Sequence, residues 1–280
     1  MGNNFVENVL LQKYLYPLID GMYWNNYNKK ILVYVKANVN PQIVNPDLLV
    51  SALLKMENYD NDFWFMSSSF DINLIEKLIE NGFIILGGKN YINKYNKKWM
   101  WDKKFNSKKY FSSMFMIFAM IYNKYQVLCL NNVYEPKNAL RLLDKYELKI
   151  NTDFDKVIDK CSEIHGEGWL TKKMRNCFKK LYRINNDRFK FISFSLYRNN
   201  QLKAGEFGCI IGKMYFSYSG YHEESGSGII QLIKMFRYLK NTGIDFCNFF
   251  GASEHGGDKY KYKFGVKDIS REEYFELLKS

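Results

Sequence analysis

The sequence predicts an α+β fold built on a mixed, mostly antiparallel sheet, and three observations in its second half carry that expectation. First, residues 189–197 and 202–211 are aromatic, β-prone runs joined by Asn199-Asn200, a pair suited to the left-handed turn of a two-residue hairpin. Gly212-Lys213 then turns the chain into a third strand over 214–220. Second, a glycine-rich loop, Ser225-Gly226-Ser227-Gly228, precedes a helix over 229–241 whose Ile229, Leu232, Ile233, Phe236 and Leu239 recur at helical spacing. Third, Thr242-Gly243 stops that helix, and 244–250 is a last apolar strand. Glu206 interrupts the second strand between Gly205 and Phe207, and desolvation there would raise its pKa towards a range useful to a general base.

Upstream, the pattern is that of a smaller α/β portion. Strands are expected over 31–37, 63–66, 83–86, 111–120 and 126–130. Helices are expected over 48–56, where Pro46 and Asp47 suit a first turn, and over 72–81, which Gly82 ends. A short helix opens at Glu135-Pro136, and another spans 153–166 around Val157, Ile158 and Cys161. Thr171 caps a basic helix running to Arg183, with Met174, Phe178 and Leu181 as its buried stripe. The division of domains is placed near residues 146–152, giving 1–150 and 151–280.

The chain has 280 residues and a formal charge of +12, a balance that favours a polyanionic partner. Residues 89–112 alternate lysines with aromatics, as nucleic-acid surfaces do, and a strand pair with a lysine face would read the same way. The basic helix is open to the same two readings. The five cysteines show no CxxC or Cys/His grouping, so no metal site is expected and the thiols read as reduced and packed. Asn3, Asn4, Glu7, Gln12 and Lys13 interrupt any signal-peptide core, and no apolar run is long enough to span a bilayer. A cytoplasmic location without membrane attachment is the expectation.

Trp169-Leu170-Thr171 before a helix, the double hairpin, the serine-bearing third strand, the long helix and the last strand form an order that resembles leucyl/phenylalanyl-tRNA–protein transferase. The likeness covers roughly residues 150–280. Ser219-Gly220-Tyr221, Tyr260-Lys261-Tyr262-Lys263-Phe264-Gly265 and the ending Ile269-Ser270-Arg271-Glu272-Glu273-Tyr274-Phe275 look closer to a divergent branch of that family. The resemblance implies a GNAT-like C-terminal domain, related to the Gcn5-type N-acetyltransferases. It also implies transfer of an amino acid of the Leu, Phe or Met type from aminoacyl-tRNA to a protein N-terminus, as in N-degron tagging. No cofactor, no metal and a monomer come with it. Two departures stand out. The family's strand Ile-Asp-Cys-Gln has Asn248 and Phe250 at its acid and amide positions here. The family's Gly-Glu-Ser-Met-Phe becomes Ser217-Tyr218-Ser219-Gly220-Tyr221, without the glutamate.

Aminoacyl transfer must hold an activated ester, deprotonate an amine and stabilise an oxyanion. The candidates are Glu206 as base, Asn248 to orient the amine or the carbonyl, and Ser219 and Tyr218 as hydrogen-bonding groups. Trp169, Lys172, Lys173, Arg175, Lys179, Lys261 and Lys263 are the candidates for binding tRNA or its aminoacyl group. Trp64, Trp99 and Trp101 are further candidates for a side-chain pocket, and His222 and His255 flank the region in loops. Two rivals remain open. One is a CoA-dependent N-acyltransferase using the loop before residue 229 for pyrophosphate, against which Glu223-Glu224 would repel phosphate. The other is a non-catalytic tRNA-binding relative.

Overall fold

The computed structural model describes residues 22–25, 30–35, 62–67, 70–88, 116–184, 186–251 and 260–279. The expectations for residues 1–20, the helix over 48–56, the lysine–aromatic stretch 89–112 with Trp99 and Trp101, the side chain of Trp64, and His255 lie outside the described residues.

The chain divides into two compact units. One is Met1–Asn123 with Glu167–Cys177, and the other is Lys124–Gly166 with Phe178–Ser280. This corrects the boundary expected near residue 150. Residues 124–150 supply two strands of the second sheet, so their ladder bonds bind them there. The short stretch Glu147–Ile150 gave no strand signal of its own because it is an edge strand of four residues.

The first unit holds β1 (Met22–Asn25), β2 (Lys30–Val35), β3 (Phe63–Ser67), β4 (Ile84–Gly88) and β5 (Met116–Ile121) in the order β1-β2-β3-β5-β4. Only β2 and β3 run parallel. Helix α1 (Ile72–Glu80) starts where Asp71 Oδ1 accepts the Leu74 amide at 3.0 Å, and it buries Leu74, Ile75, Leu78 and Ile79. The edge of β4 is covered by the segment beginning at Glu167. The Gly87 amide donates to the Trp169 carbonyl at 2.8 Å, and a Cβ on Gly87 would lie 2.9 Å from that oxygen.

The second unit is a seven-stranded sheet. It contains β6 (Lys124–Cys129), β7 (Glu147–Ile150), β8 (Phe189–Arg198), β9 (Gln201–Ile211), β10 (Met214–His222), β11 (Phe246–Gly251) and β12 (Lys267–Ser270), ordered β12-β6-β11-β10-β9-β8-β7. Every pairing is antiparallel except β10 with β11. The α+β class and the mixed, mostly antiparallel sheet are as the sequence predicts, and the structure shows that the last apolar strand, β11, is the one that runs parallel to its neighbour β10. The hairpin turn is too, with Asn199 at φ 49° and Asn200 at φ 60°.

Beyond α2 (Lys137–Leu140), the helices are α3 (Phe154–His165), α4 (Lys172–Arg183), α5 (Ser227–Asn241) and α6 (Arg271–Lys279). Side chains alternate across the sheet. One face packs Ile192, Phe194, Leu196, Tyr215, Cys247 and Phe249 against Ile230, Ile233, Phe236 and Leu239 of α5. The other carries an aromatic layer, where Phe154 of α3 and Phe178 meet Phe191, Phe207 and Tyr218. The hairpin between β9 and β10 is drawn tight at Gly208, where a Cβ would stand 2.2 Å from the Phe216 carbonyl oxygen and 2.4 Å from the Tyr215 ring. Gly208→Ala is therefore expected to lose about 3 kcal/mol of stability. A urea midpoint equal to that of the parent would contradict this packing.

Candidate functional site

The parallel ladder between β10 and β11 has a short register, from Met214 opposite Phe246 to Phe216 opposite Asn248. Strand β10 continues for six more residues, to His222. The cause of the break is local. The Phe246 amide donates to the Lys213 carbonyl at 3.1 Å, so a regular parallel ladder would send the Asn248 amide to Tyr215 and the Phe250 amide to Ser217. Instead, the Phe250 amide donates to Asn248 Oδ1 at 2.7 Å. A short amide side chain offers the backbone an alternative to the sheet and takes it out of register. Phe250 adopts φ 73°, a left-handed conformation that is strained for a large residue, and β11 resumes pairing with β6 only at Gly251 opposite Tyr125.

On the other side of the gap, β10 bulges at Tyr218, between Ser217 opposite Gly208 and Ser219 opposite Phe207. Helix α3 holds the bulged segment through its own carbonyls. Cys161 Sγ donates to the Ser219 oxygen at 3.5 Å, and His165 Nε2 donates to the Gly220 oxygen at 2.7 Å. Sequence reasoning missed both, although their spacing of four places them on one face of α3.

The four predicted catalytic residues do not form one cluster. Glu206 is 3% exposed and points to the α5 face, where the Tyr215 hydroxyl donates to Oε1 at 3.1 Å and Gln231 Nε2 donates to Oε2 at 3.3 Å. Burial raises its pKa, opposed in turn by the Ser217 hydroxyl, the charge of Lys261, and the bonds from Tyr215 and Gln231. Asn248, fully buried, follows Cys247 of the α5-side core and so faces the opposite layer, with Tyr218 and Phe250. Tyr218 sits among Phe178, Phe191, Phe207 and Phe250. Ser219 is half-buried and opposite Phe207, hence on that second face.

This placement corrects the grouping of Glu206 with Asn248, because a strand alternates its side chains and the two positions have opposite parity relative to the core. Tyr215, Ser217 and Gln231 were not foreseen as its partners. Their one signal was a glutamine, Gln231, inside the apolar stripe of α5.

The basic candidates also separate. Trp169, Lys172, Lys173 and Arg175 belong to the first unit, whereas Lys179, Lys261 and Lys263 belong to the second. Arg175 is spent internally, donating to the Leu170 carbonyl and to Glu167 Oε1, both at 3.0 Å. Lys179 Nζ donates to Asp159 Oδ2 at 2.7 Å, and Arg183 pairs with Asp155. Lys173 Nζ lies over the Phe70 ring at 5.5 Å. Lys261 Nζ lies over the Phe249 ring at 4.6 Å, and its charge opposes the effect of burial on the Glu206 pKa. Lys172 and Lys263 are exposed.

The loop before α5 is built for a task other than holding phosphate. The Ser227 hydroxyl turns inward to donate to the Glu224 carbonyl at 2.7 Å and the Lys203 carbonyl at 3.2 Å. Glu224 accepts from Tyr146 at 3.0 Å and pairs with Arg198, so that hydrogen bonding holds it below the usual carboxylate range. Glu223 lies 3.5 Å from Lys160. Two carboxylates therefore stand at the end of the helix that would otherwise attract an anion.

The buried position of Glu206 has a thermodynamic consequence. Its folded-state pKa lies above the unfolded value, so its favourable contribution is complete at acid pH and is lost as pH rises through the folded pKa. Glu206→Gln lacks that loss. The melting temperature of the variant should gain on the parent as pH rises from about 4.5 towards 8. A constant gap across that range would contradict the burial argument.

The sequence profile of the leucyl/phenylalanyl-tRNA protein transferase family matches residues 127–279, which span β6 through α6. Among curated proteins, this chain is 27% identical over 156 residues to the leucyl/phenylalanyl-tRNA–protein transferase of Campylobacter jejuni subsp. doylei, covering 55% of this chain and 66% of that one. It is 24% identical over 157 residues to the protein of that name from Pseudomonas putida, with coverage of 54% and 66%. The aligned region thus spans just under two thirds of the length of these relatives. Among solved structures, FemX is similar at 11% identity and a TM-score of 0.41, over 92% of this chain and 86% of that one. A GCN5-related N-acetyltransferase from Kribbella flavida is similar at 10% identity and a TM-score of 0.37, over 96% and 93%. With the profile matching more than half of its residues, the chain belongs to the leucyl/phenylalanyl-tRNA–protein transferase family.

Proposed function

We propose that this protein transfers an amino acid of the Leu, Phe or Met type from aminoacyl-tRNA to the N-terminal residue of an acceptor protein, marking it for degradation. It acts as a cytoplasmic monomer without a cofactor. The single observation that carries the reading is the family match over residues 127–279, the same stretch that contains the opened β10–β11 ladder. An aminoacyl ester is already activated, so positioning the two reactants supplies much of the rate. The new C–N bond forms as the ester C–O bond breaks, and the amine proton leaves with the ribose hydroxyl.

Two features set this reading above CoA-dependent acyl transfer. The α5 loop carries Glu223 and Glu224, and its serine hydroxyl is bonded inward. Neither suits a pyrophosphate. With Asn248 and Phe250 at the acid and amide positions, Lys261 beside Glu206 and the exposed Lys172 and Lys263 become the residues assigned to substrate and tRNA.

The direct test incubates the protein with labelled Leu-, Phe- or Met-tRNA and peptides bearing an N-terminal Arg, Lys or acidic residue. Label appearing on a peptide is the expected result. Acetyl-CoA turnover without tRNA affinity would overturn the reading, and tRNA binding without transfer would mark a non-catalytic relative. The ion pairs give a second prediction. Lys172→Ala should reduce the slope of log affinity against log salt by about 0.7–0.9. Lys179→Ala, whose ammonium is already paired with Asp159, should change it much less. Equal effects would contradict the assignment.

A further inference from the structure

Helix α4 carries six cations in twelve residues and no acid. Helix α3 carries Asp155, Asp159 and Glu163 at intervals of four, which sets them in one row on one face. The row meets α4 in antiparallel register. Arg183 Nη2 donates to Asp155 Oδ2 and Lys179 Nζ donates to Asp159 Oδ2, both at 2.7 Å. Arg183 also donates through Nη1 to the Lys179 carbonyl at 2.9 Å, which holds its guanidinium in place. Lys160 of α3 does not compete for these acids, since it is engaged with Glu163 and Glu223.

The ion pairs are not what joins the two helices. The Phe154 and Tyr182 rings stack at 4.0 Å, and Phe154 and Phe178 both pack on Phe191 and Phe207. The Asp155 and Asp159 side chains are 48% and 47% exposed, and ion pairs in such a setting contribute little to stability. Their effect falls on charge instead. Two cations that a phosphate backbone would use are already neutralised. Lys172 and Lys180 of the same helix are exposed, with no acidic partner among the described residues.

We propose that Asp155 and Asp159 are specificity-determining residues: they occupy Arg183 and Lys179, so that α4 does not bind nucleic acid indiscriminately. A partner that docks on α4 engages the lysines that α3 leaves exposed. Losing two phosphate contacts weakens every backbone alike, whereas a partner whose shape fits the remaining contacts keeps its affinity, and the difference is discrimination. The proposal shares a nucleic-acid partner with the transfer reading and needs no chemistry from it.

The test is binding to a random-sequence DNA duplex. Asp155→Asn/Asp159→Asn should bind about tenfold more tightly than the parent at roughly 0.1 M salt, with a slope of log affinity against log salt steeper by about 1.8. Glu272→Gln/Glu273→Gln makes the same change in net charge at two exposed positions of α6. It should gain less than about twofold, because charge acts here through contact and not through the sum. An equal gain from the two pairs of substitutions would overturn the proposal.

A double-mutant cycle isolates the pair. Lys179→Ala should cost less than about twofold in the parent and about fivefold in Asp159→Asn, where the ammonium is released. Equal costs would overturn the proposal. At about 1 M salt the gain of the Asn variant should vanish. A gain that persists there would come from exposed apolar surface and would also overturn it. Label transfer by a protein whose cycle is additive sinks the specificity role alone. A coupled cycle in a protein that transfers nothing supports that role and sinks the transfer reading instead.

Discussion

The hydrogen bond from the Phe250 amide to Asn248 Oδ1 governs the functional half of this molecule. A parallel pair of strands has no intrinsic reason to part after three register positions. Here the strand's own side chain captures the next ladder amide, and the backbone turns left-handed to allow it. The bulge at Tyr218 does the matching work on the other strand, and α3 binds the two carbonyls beyond it through Cys161 and His165. The end of the ladder is thus fixed on both strands, by a bond within β11 and by a bulge in β10.

The sheet then separates two chemistries. On the α5 side, Glu206 is surrounded by Tyr215, Gln231, Ser217 and the charge of Lys261, in an apolar core that favours its protonated form. On the opposite side, Asn248 lies with Tyr218 and Phe250 at the edge of an aromatic layer. A carboxyl buried on one face and an amide on the other do not reach the same atom from the same direction. The proposed aminoacyl transfer tolerates this, since the ester is activated before it arrives and positioning supplies much of the rate.

Much of the fold was legible in the sequence. The Asn199-Asn200 turn and the Gly82 stop are short-range signals with their expected structure, and the apolar stripe of α5 is as expected except at Ile229, which is exposed while Ile230 is buried. Strands at sheet edges were harder. Glu147–Ile150 and Lys267–Ser270 span four residues each and carry little apolar alternation, since one ladder and partial burial suffice to hold them. The domain boundary was misplaced for the same reason, because pairing with distant strands decides where residues 124–150 belong. At the site, sequence picked out Glu206, Asn248, Tyr218 and Ser219 as unusual. It did not reveal that parity puts Glu206 on the far face, or that Arg175 and Lys179 already have acidic partners. Those facts depend on register and on helix α3, neither of which a motif encodes.

The proposal that this chain moves an aminoacyl group from tRNA to a protein N-terminus is tested most directly by incubating it with labelled Leu-tRNA and a peptide bearing an N-terminal Arg. Label passing to the peptide is the predicted result. Turnover of acetyl-CoA with neither transfer nor tRNA binding would contradict it.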